Sequence, residues 1–173
     1  MDAVIKNKIR NVTVLVMDVD GVLTDGRIIY DHQGRDVKAF DVQDGFGLVL
    51  LSKGGLKTAI ITAKSSRAVT ERARHLGIHK VYQNAYPKRR AYQRLLKDLK
   101  VKDADICYIG DDLPDLPLFD KVGFSVAVAN AAPELIAQAD YITRNLGGRG
   151  AVREVVELIL KTQNKWKGLL KGL

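Results

Sequence analysis

The stretch VLVMDVDGVLTDG, residues 14–26, decides the fold. Val14, Leu15, Val16 and Met17 form an apolar run without polar alternation, the pattern of a strand covered on both faces in a parallel sheet. Directly after it, Asp18 and Asp20 enter a turn that contains Gly21. An open α/β sheet places its ligand crevice at the carboxyl ends of its strands, and residues two apart in extended chain project the same way. Two carboxylates about 4 Å apart repel by roughly 4 kcal/mol at an effective dielectric near 20, so the pair needs a cation, a shared proton or strong hydrogen bonds.

Outward from this stretch, short β-branched runs alternate with helical patterns, which predicts a doubly wound, Rossmann-like α/β sheet. Strands are expected at 12–17, 58–62, 80–83, 106–110 and 124–128, with a short one near Tyr141. Helices are expected at 45–52, 66–76, 88–99, 115–120, 133–138 and 151–160. Gly77 reads as a helix cap, and Pro87 suits a first helical turn. One segment, about 26–40, breaks the alternation and reads as an antiparallel hairpin turning at Asp31-His32-Gln33-Gly34.

Three more strand ends carry chemistry. The run 106–110 leads into Asp111, Asp112 and Asp115, repeating the design of buried strand followed by carboxylates. An oxygen-only set of this kind suits Mg²⁺, which favours octahedral coordination, keeps several waters and pairs with phosphate. Thr62 ends the run 58–62 just before Ser65 and Ser66, where helix N-terminal amides could join its hydroxyl in holding an anion. Lys88 follows Pro87 at another strand-to-helix connection and offers a point positive charge.

With 173 residues the chain is long enough for one apolar core, and residues 1–173 are expected to form a single domain. Its lone Cys107 excludes an intrachain disulfide framework and points to a reducing cytoplasm. No leader-like or membrane-spanning apolar run is read, so no membrane partner is expected. The formal net charge of +8 permits a nucleic acid or an anionic substrate, and part of it lies in a tail, about 161–173, expected to be a solvated or frayed helix end. His32, His75 and His79 are read as surface groups. Tyr82, Tyr86 and Tyr92 beside Lys88–Arg90 are not taken as a base-stacking platform, and no nucleic acid is expected.

DVDGVLTDG, Thr62 in IITAKS, Lys88, and GDDLPD resemble, in order, the four motifs of the haloacid dehalogenase (HAD) superfamily. Over about residues 10–160 the chain more closely resembles the 3-deoxy-D-manno-octulosonate 8-phosphate (KDO 8-phosphate) phosphatases, through KAFDVQDGFG, YQNAYPK, VGFSVAVANA and GGRGAVREV. The resemblance implies a Mg²⁺-dependent phosphomonoesterase serving lipopolysaccharide synthesis. Asp18 would attack phosphorus, and Asp20 would act as acid and then base. Asp18, the Asp20 carbonyl and Asp111 would bind metal, supported by Asp112 and Asp115, while Thr62 and Lys88 would hold the phosphoryl group. A count of four acids (Asp18, Asp20, Asp111, Asp112) against Mg²⁺ and Lys88 places a proton on Asp20.

Thr62 follows Asp18 by 44 positions and Lys88 follows Thr62 by 26, leaving no room for a cap domain. Capless relatives form homotetramers in which hairpins pair around a central axis, so Ile28, Ile29 and Val37 are expected at interfaces. Substrate contacts implied by the resemblance are Asp20, Lys88, Asp41, Val42, Gln43, Asp44, Gly45, Val49, Lys64 and Arg72, with Gly147–Gly150 as a loop that reaches a neighbouring site. Lys64 and Val49 stand where arginine is common, which keeps another sugar acid phosphate, of the sialic acid or KDN 9-phosphate type, as an alternative. A phospho-receiver module and a nucleic-acid-binding module are the remaining alternatives.

Overall fold

The structure, a computed structural model, describes residues 2–172. Strand β1 (Val14–Met17) is buried at every position and lies at the centre of a six-stranded parallel sheet. β2 (Ile29–Tyr30) and β3 (Asp36–Val37) form a separate antiparallel hairpin, with Ile29 opposite Val37. The main sheet continues with β4 (Lys57–Ile61), β5 (Lys80–Tyr82), β6 (Ile106–Gly110), β7 (Phe124–Ala127) and β8 (Tyr141–Ile142), in the order β5-β4-β1-β6-β7-β8. The chain winds outward from β1 to β5, returns to β6 and winds out the other way. The order therefore reverses between β1 and β6, and a crevice opens at their carboxyl ends.

The helices are α1 (Ala3–Asn11), α2 (Val42–Lys53), α3 (Arg67–Leu76), α4 (Lys88–Leu99), α5 (Leu116–Phe119), α6 (Pro133–Gln138), α7 (Ala151–Thr162) and α8 (Trp166–Leu170). α1, α2 and α8 pack on α7, while α5 joins α4 and α6, so the sheet lies between two helical layers around one apolar core. That double cover is why the central strands carry no polar alternation. Between β1 and Lys88 the hairpin is the only insertion among the described residues, as expected of a chain without a cap domain.

Several boundaries differ from expectation. Val12 caps α1 and does not start β1, and α1 was not anticipated because only Ile9 of its residues is buried. Pro87 is the N-cap of α4, with Lys88 as its first residue. The helix expected at 115–120 splits into a 3-10 turn at Leu113–Asp115 and the short α5, with Pro114 and Pro117 in the first turns. The basic tail is only partly free. α7 runs to Thr162, and Trp166 and Leu169 of α8 pack against the core. No helix is long and apolar enough to cross a membrane among the described residues.

Candidate active site

Asp18 leaves the end of β1 tethered by its own amide to the carbonyl of Ile109 (3.1 Å), so β1 and β6 present their acids side by side. Its Oδ1 accepts from the amide of Val19 (2.6 Å), and its Oδ2 lies 2.7 Å from Nζ of Lys88. Lys88, with a side chain only 1 % exposed, also pairs with Asp115 and donates to Tyr108 Oη (3.3 Å). Tyr108 in turn donates to Asp115 Oδ1 (2.6 Å), while the amides of Asp111 and Asp112 donate to Asp115 Oδ2 (3.0 and 3.4 Å). Asp115 therefore fixes the β6 exit loop from within and orients Lys88.

Oxygens of Asp18, Asp111 and Asp115 lie within 4.8 Å of one another. With Lys88 the nearest opposing charge, each carboxylate pair at that spacing repels by about 3–4 kcal/mol at an effective dielectric of ~20. Burial, then the charges of Asp18 and Asp115, push Asp111 up to about 8. Burial also raises Asp18 to about 6, against the pull of Lys88. Burial opposes the charge of Lys88, but Asp18 and Asp115 outweigh it and hold the ammonium above its usual range. Oδ1 of Asp111 is buried with no hydrogen-bond partner. An orphaned carboxylate oxygen in an all-oxygen cluster short of positive charge fits a divalent, oxygen-preferring cation such as Mg²⁺.

Gly21 makes this closeness possible. Its φ of +95° belongs to the left-handed region, and a Cβ there would overlap the Asp111 carboxylate. Gly147 presses against the carbonyl of Gly21, and the amide of Gly148 donates to Val22 (2.8 Å). The loop 147–150, expected at a neighbouring site, is thus packed onto the acid turn of its own chain.

The crevice, about 330 Å³, is lined by Asp18, Asp20, Thr62, Lys64, Lys88, Asp111 and Asp112, with Ile28 of the hairpin arm at its edge. The four strand ends singled out in the sequence therefore meet. A larger open groove of about 580 Å³ along β5 and α4 lies elsewhere, and its Tyr82 and Arg94 are engaged with Asp98 (2.8 and 3.7 Å). Tyr92, which is buried, donates to Asp103 (2.6 Å). Cys107 is fully buried.

At the α3 terminus, Gln83 Oε1 accepts from the amide of the N-cap Ser66 (2.6 Å). Asp20 Oδ1 pairs with the buried ammonium of Lys38, a cation that the count of four acids against Mg²⁺ and Lys88 leaves out. Lys38 was missed because its partner lies 18 residues away, and the turn chemistry that predicts a hairpin says nothing about what the arm reaches.

Of the expected substrate contacts, Asp20, Lys64 and Lys88 line the crevice, and Asp41, Val42, Gln43, Asp44, Gly45, Val49 and Arg72 do not. Asp41 is the N-cap of α2 and accepts from the amide of Asp44 (2.9 Å). Asp44 is buried and accepts from the amides of Gly150 (3.2 Å) and Arg153 (2.7 Å), holding the start of α7. Arg72 donates to the carbonyl of Asp41 (3.0 Å) and stands over the Phe40 ring, leaving no room for a side chain at Gly45. Val42 and Gln43 are exposed, and Val49 is half-buried in α2.

Residues 61–155 match the family of haloacid dehalogenase-like hydrolases. The chain is 46 % identical over 158 residues to 3-deoxy-D-manno-octulosonate 8-phosphate phosphatase KdsC of Escherichia coli K12, spanning 91 % of this chain and 84 % of that protein. The crystal structure of the Yersinia pestis phosphatase superposes with a TM-score of 0.95 at 44 % identity, covering 97 % of this chain and 91 % of the other. The Moraxella catarrhalis phosphatase, in complex with magnesium ion, phosphate ion and KDO, gives a TM-score of 0.94 at 45 % identity, covering 97 % of each chain. A doubly wound sheet whose carboxylates converge at the β1/β6 switch point thus agrees with likeness along nearly the whole chain, which belongs to the 3-deoxy-D-manno-octulosonate 8-phosphate phosphatase family of haloacid dehalogenase-like hydrolases.

Proposed function

We propose that this chain hydrolyses KDO 8-phosphate to KDO and phosphate in a Mg²⁺-dependent reaction through an aspartyl phosphate. The observation that carries the chemistry is the meeting of Asp18, Asp111 and Lys88, with Asp20 beside them, around one crevice in which Asp111 Oδ1 has no partner. The substrate is supported by the relatives and by the KDO and phosphate bound to the Moraxella phosphatase.

Asp18 Oδ attacks phosphorus in line, forming the acyl phosphate as the bond to the sugar oxygen breaks. Asp20 gives a proton to that departing oxygen and then takes one from the water that opens the acyl phosphate, so Asp18 returns unchanged. Lys88 stabilises charge on the phosphoryl oxygens, with the Thr62 hydroxyl beside it. Mg²⁺ would be held by Asp18, Asp111 and the Asp20 carbonyl and would supply charge neutralisation. Asp112, which caps the Leu113–Asp115 turn, and Asp115 keep the β6 loop in place.

We place the reaction in the cytoplasm, in lipopolysaccharide synthesis, and the active unit as a homotetramer. The apolar residues Ile28, Ile29, Tyr30 and Val37 are 43–64 % exposed on the hairpin of one chain, which supports hairpin pairing. The contacts of residues 41–45, Val49 and Arg72 with substrate are proposed to depend on that assembly.

The test is phosphate release with Mg²⁺ across sugar phosphates, including KDO 8-phosphate and sialic acid or KDN 9-phosphates, comparing wild type with Asp18→Asn. Release from KDO 8-phosphate that disappears in the variant supports the reading, and equal release by both proteins removes Asp18 as nucleophile. Lys64 at the crevice wall, lacking the bidentate grip of arginine, favours a second reading in which a 9-phosphate is the better substrate. Higher kcat/KM for a 9-phosphate would establish it.

A further inference from the structure

Lys38 follows β3 in a hairpin that is otherwise largely exposed, yet its own side chain is only 2 % exposed. Lysines are rarely buried unless paired. This one pairs with Asp20 Oδ1 and stands 3.5 Å from Asp36 Oδ2. Asp36 belongs to the same hairpin, so it could have held the lysine at the surface. The side chain reaches inward to the crevice, to a carboxylate in the turn after β1.

A carboxylate on a turn has rotational freedom, and a proton relay needs one oxygen aimed at the atom it serves. Asp18 and Lys88 are fixed by the buried network of Asp115 and Tyr108. The Asp20 side chain shares none of those bonds and is held from the hairpin side. Lys38 occupies Oδ1, which leaves Oδ2 to exchange a proton.

We propose that Lys38 is a positioning residue for the reaction: it fixes the Asp20 carboxylate so that its free oxygen meets the departing sugar oxygen, and it thereby ties the hairpin to proton transfer. The proposal rests on the reading of Asp20 as acid and base. It differs from a purely structural pin, which would hold the hairpin and slow every substrate alike.

Leaving-group dependence separates the two. A sugar alkoxide needs a proton as it departs, whereas p-nitrophenolate leaves without one. Because kcat/KM reports steps through the first P–O cleavage, it isolates departure from the later hydrolysis common to both substrates. With KDO 8-phosphate and p-nitrophenyl phosphate in Mg²⁺, Lys38→Met is expected to lower kcat/KM on the sugar phosphate on the order of 100-fold, the scale of a catalytic group misplaced by about 1 Å. The aryl phosphate should be nearly unaffected. Lys38→Arg should recover much of the loss, and Lys38→Met should cost nothing further in an Asp20→Asn background.

Equal losses on both substrates, or a loss that persists beside Asp20→Asn, would overturn the proposal. Should Lys38→Met fail to fold, Lys38→Gln, which keeps a shorter, uncharged donor, supports the same comparison. Failure of the underlying reading shows up elsewhere, as phosphate release that survives Asp18→Asn.

Discussion

Nζ of Lys88 stands 2.7 Å from Oδ2 of Asp18, and both side chains are withdrawn from solvent. The pair sits in an acid-rich pocket, where Lys88 serves Asp115 as well. Breaking a buried pair from its cationic side typically costs about 3–5 kcal/mol, so Lys88→Met is expected to melt well below wild type and to lose activity. Asp18→Asn should act differently. It removes a carboxylate that burial already holds near pH 6, leaves Lys88 with Asp115, and should keep or raise the metal-free melting temperature. Its turnover should fall by at least about a thousandfold, as when a nucleophile is removed. Calorimetry beside phosphate release checks both variants, and a strongly destabilised Asp18→Asn would contradict the charge argument.

The acid cluster makes stability depend on pH and metal together. Asp111 is held up to about 8 and Asp18 to about 6, against ordinary values of 3.8. Without metal, between pH about 4 and about 8, the folded chain binds more protons at these groups than the unfolded chain does. Their contribution to stability therefore falls as pH rises through that window. Mg²⁺ needs the carboxylates ionised, so its stabilisation should be greater at pH 8 than at pH 5. At a hundred times its dissociation constant a ligand adds about 2.7 kcal/mol, or about 5–10 °C for a chain of this size. Thermal melts with and without Mg²⁺ test this, and Asp111→Asn should flatten the Mg²⁺ response.

How much of this could be read from residues alone depended on range. VLVM announces a doubly covered strand because both faces of β1 are helix-packed, and that places Asp18 at a strand end wherever the strand lies in the sheet. Lys88 was legible for the same reason, as the first residue of a helix entering the crevice. What escaped was set by tertiary pairing between polar residues far apart in the chain. Gln83 takes the Ser66 amide across 17 positions, Asp44 caps α7 across more than 100, and Lys38 reaches Asp20 across 18 from just beyond the hairpin. α1 escaped because its apolar stripe is short, Ile5 and Ile9 alone packing on the core among lysines and an arginine.

Gly21→Ala tests whether the acid turn is built to its limit. The substitution puts a side chain at φ +95° and drives Cβ into the Asp111 carboxylate. Strain at such a position costs about 1–3 kcal/mol, before any displacement of Asp111. The variant should lose most Mg²⁺-dependent stabilisation along with activity, measured by melts and by Mg²⁺ titration of turnover. An alanine variant with unchanged Mg²⁺ response would mean that Asp111 is not held where the cation binds.

The hairpin supplies the last test. Ile29 and Val37 face each other across its two strands, both more than 40 % exposed, and two short strands alone bury too little to be stable in water. Pairing with other hairpins would cover these side chains and complete the ladder edges. Ile29→Asp combined with Val37→Asp places like charges opposite each other within the hairpin and within any paired copy. Light scattering after gel filtration should show wild type as a tetramer and the double variant as a smaller species whose core still melts cooperatively. If assembly brings residues 41–45 and Arg72 to substrate, kcat/KM for KDO 8-phosphate should fall with it, and that for p-nitrophenyl phosphate should fall far less. A wild-type chain that stays monomeric at micromolar concentration would remove the assembly from the account and leave the exposed hairpin to cover the crevice of its own chain.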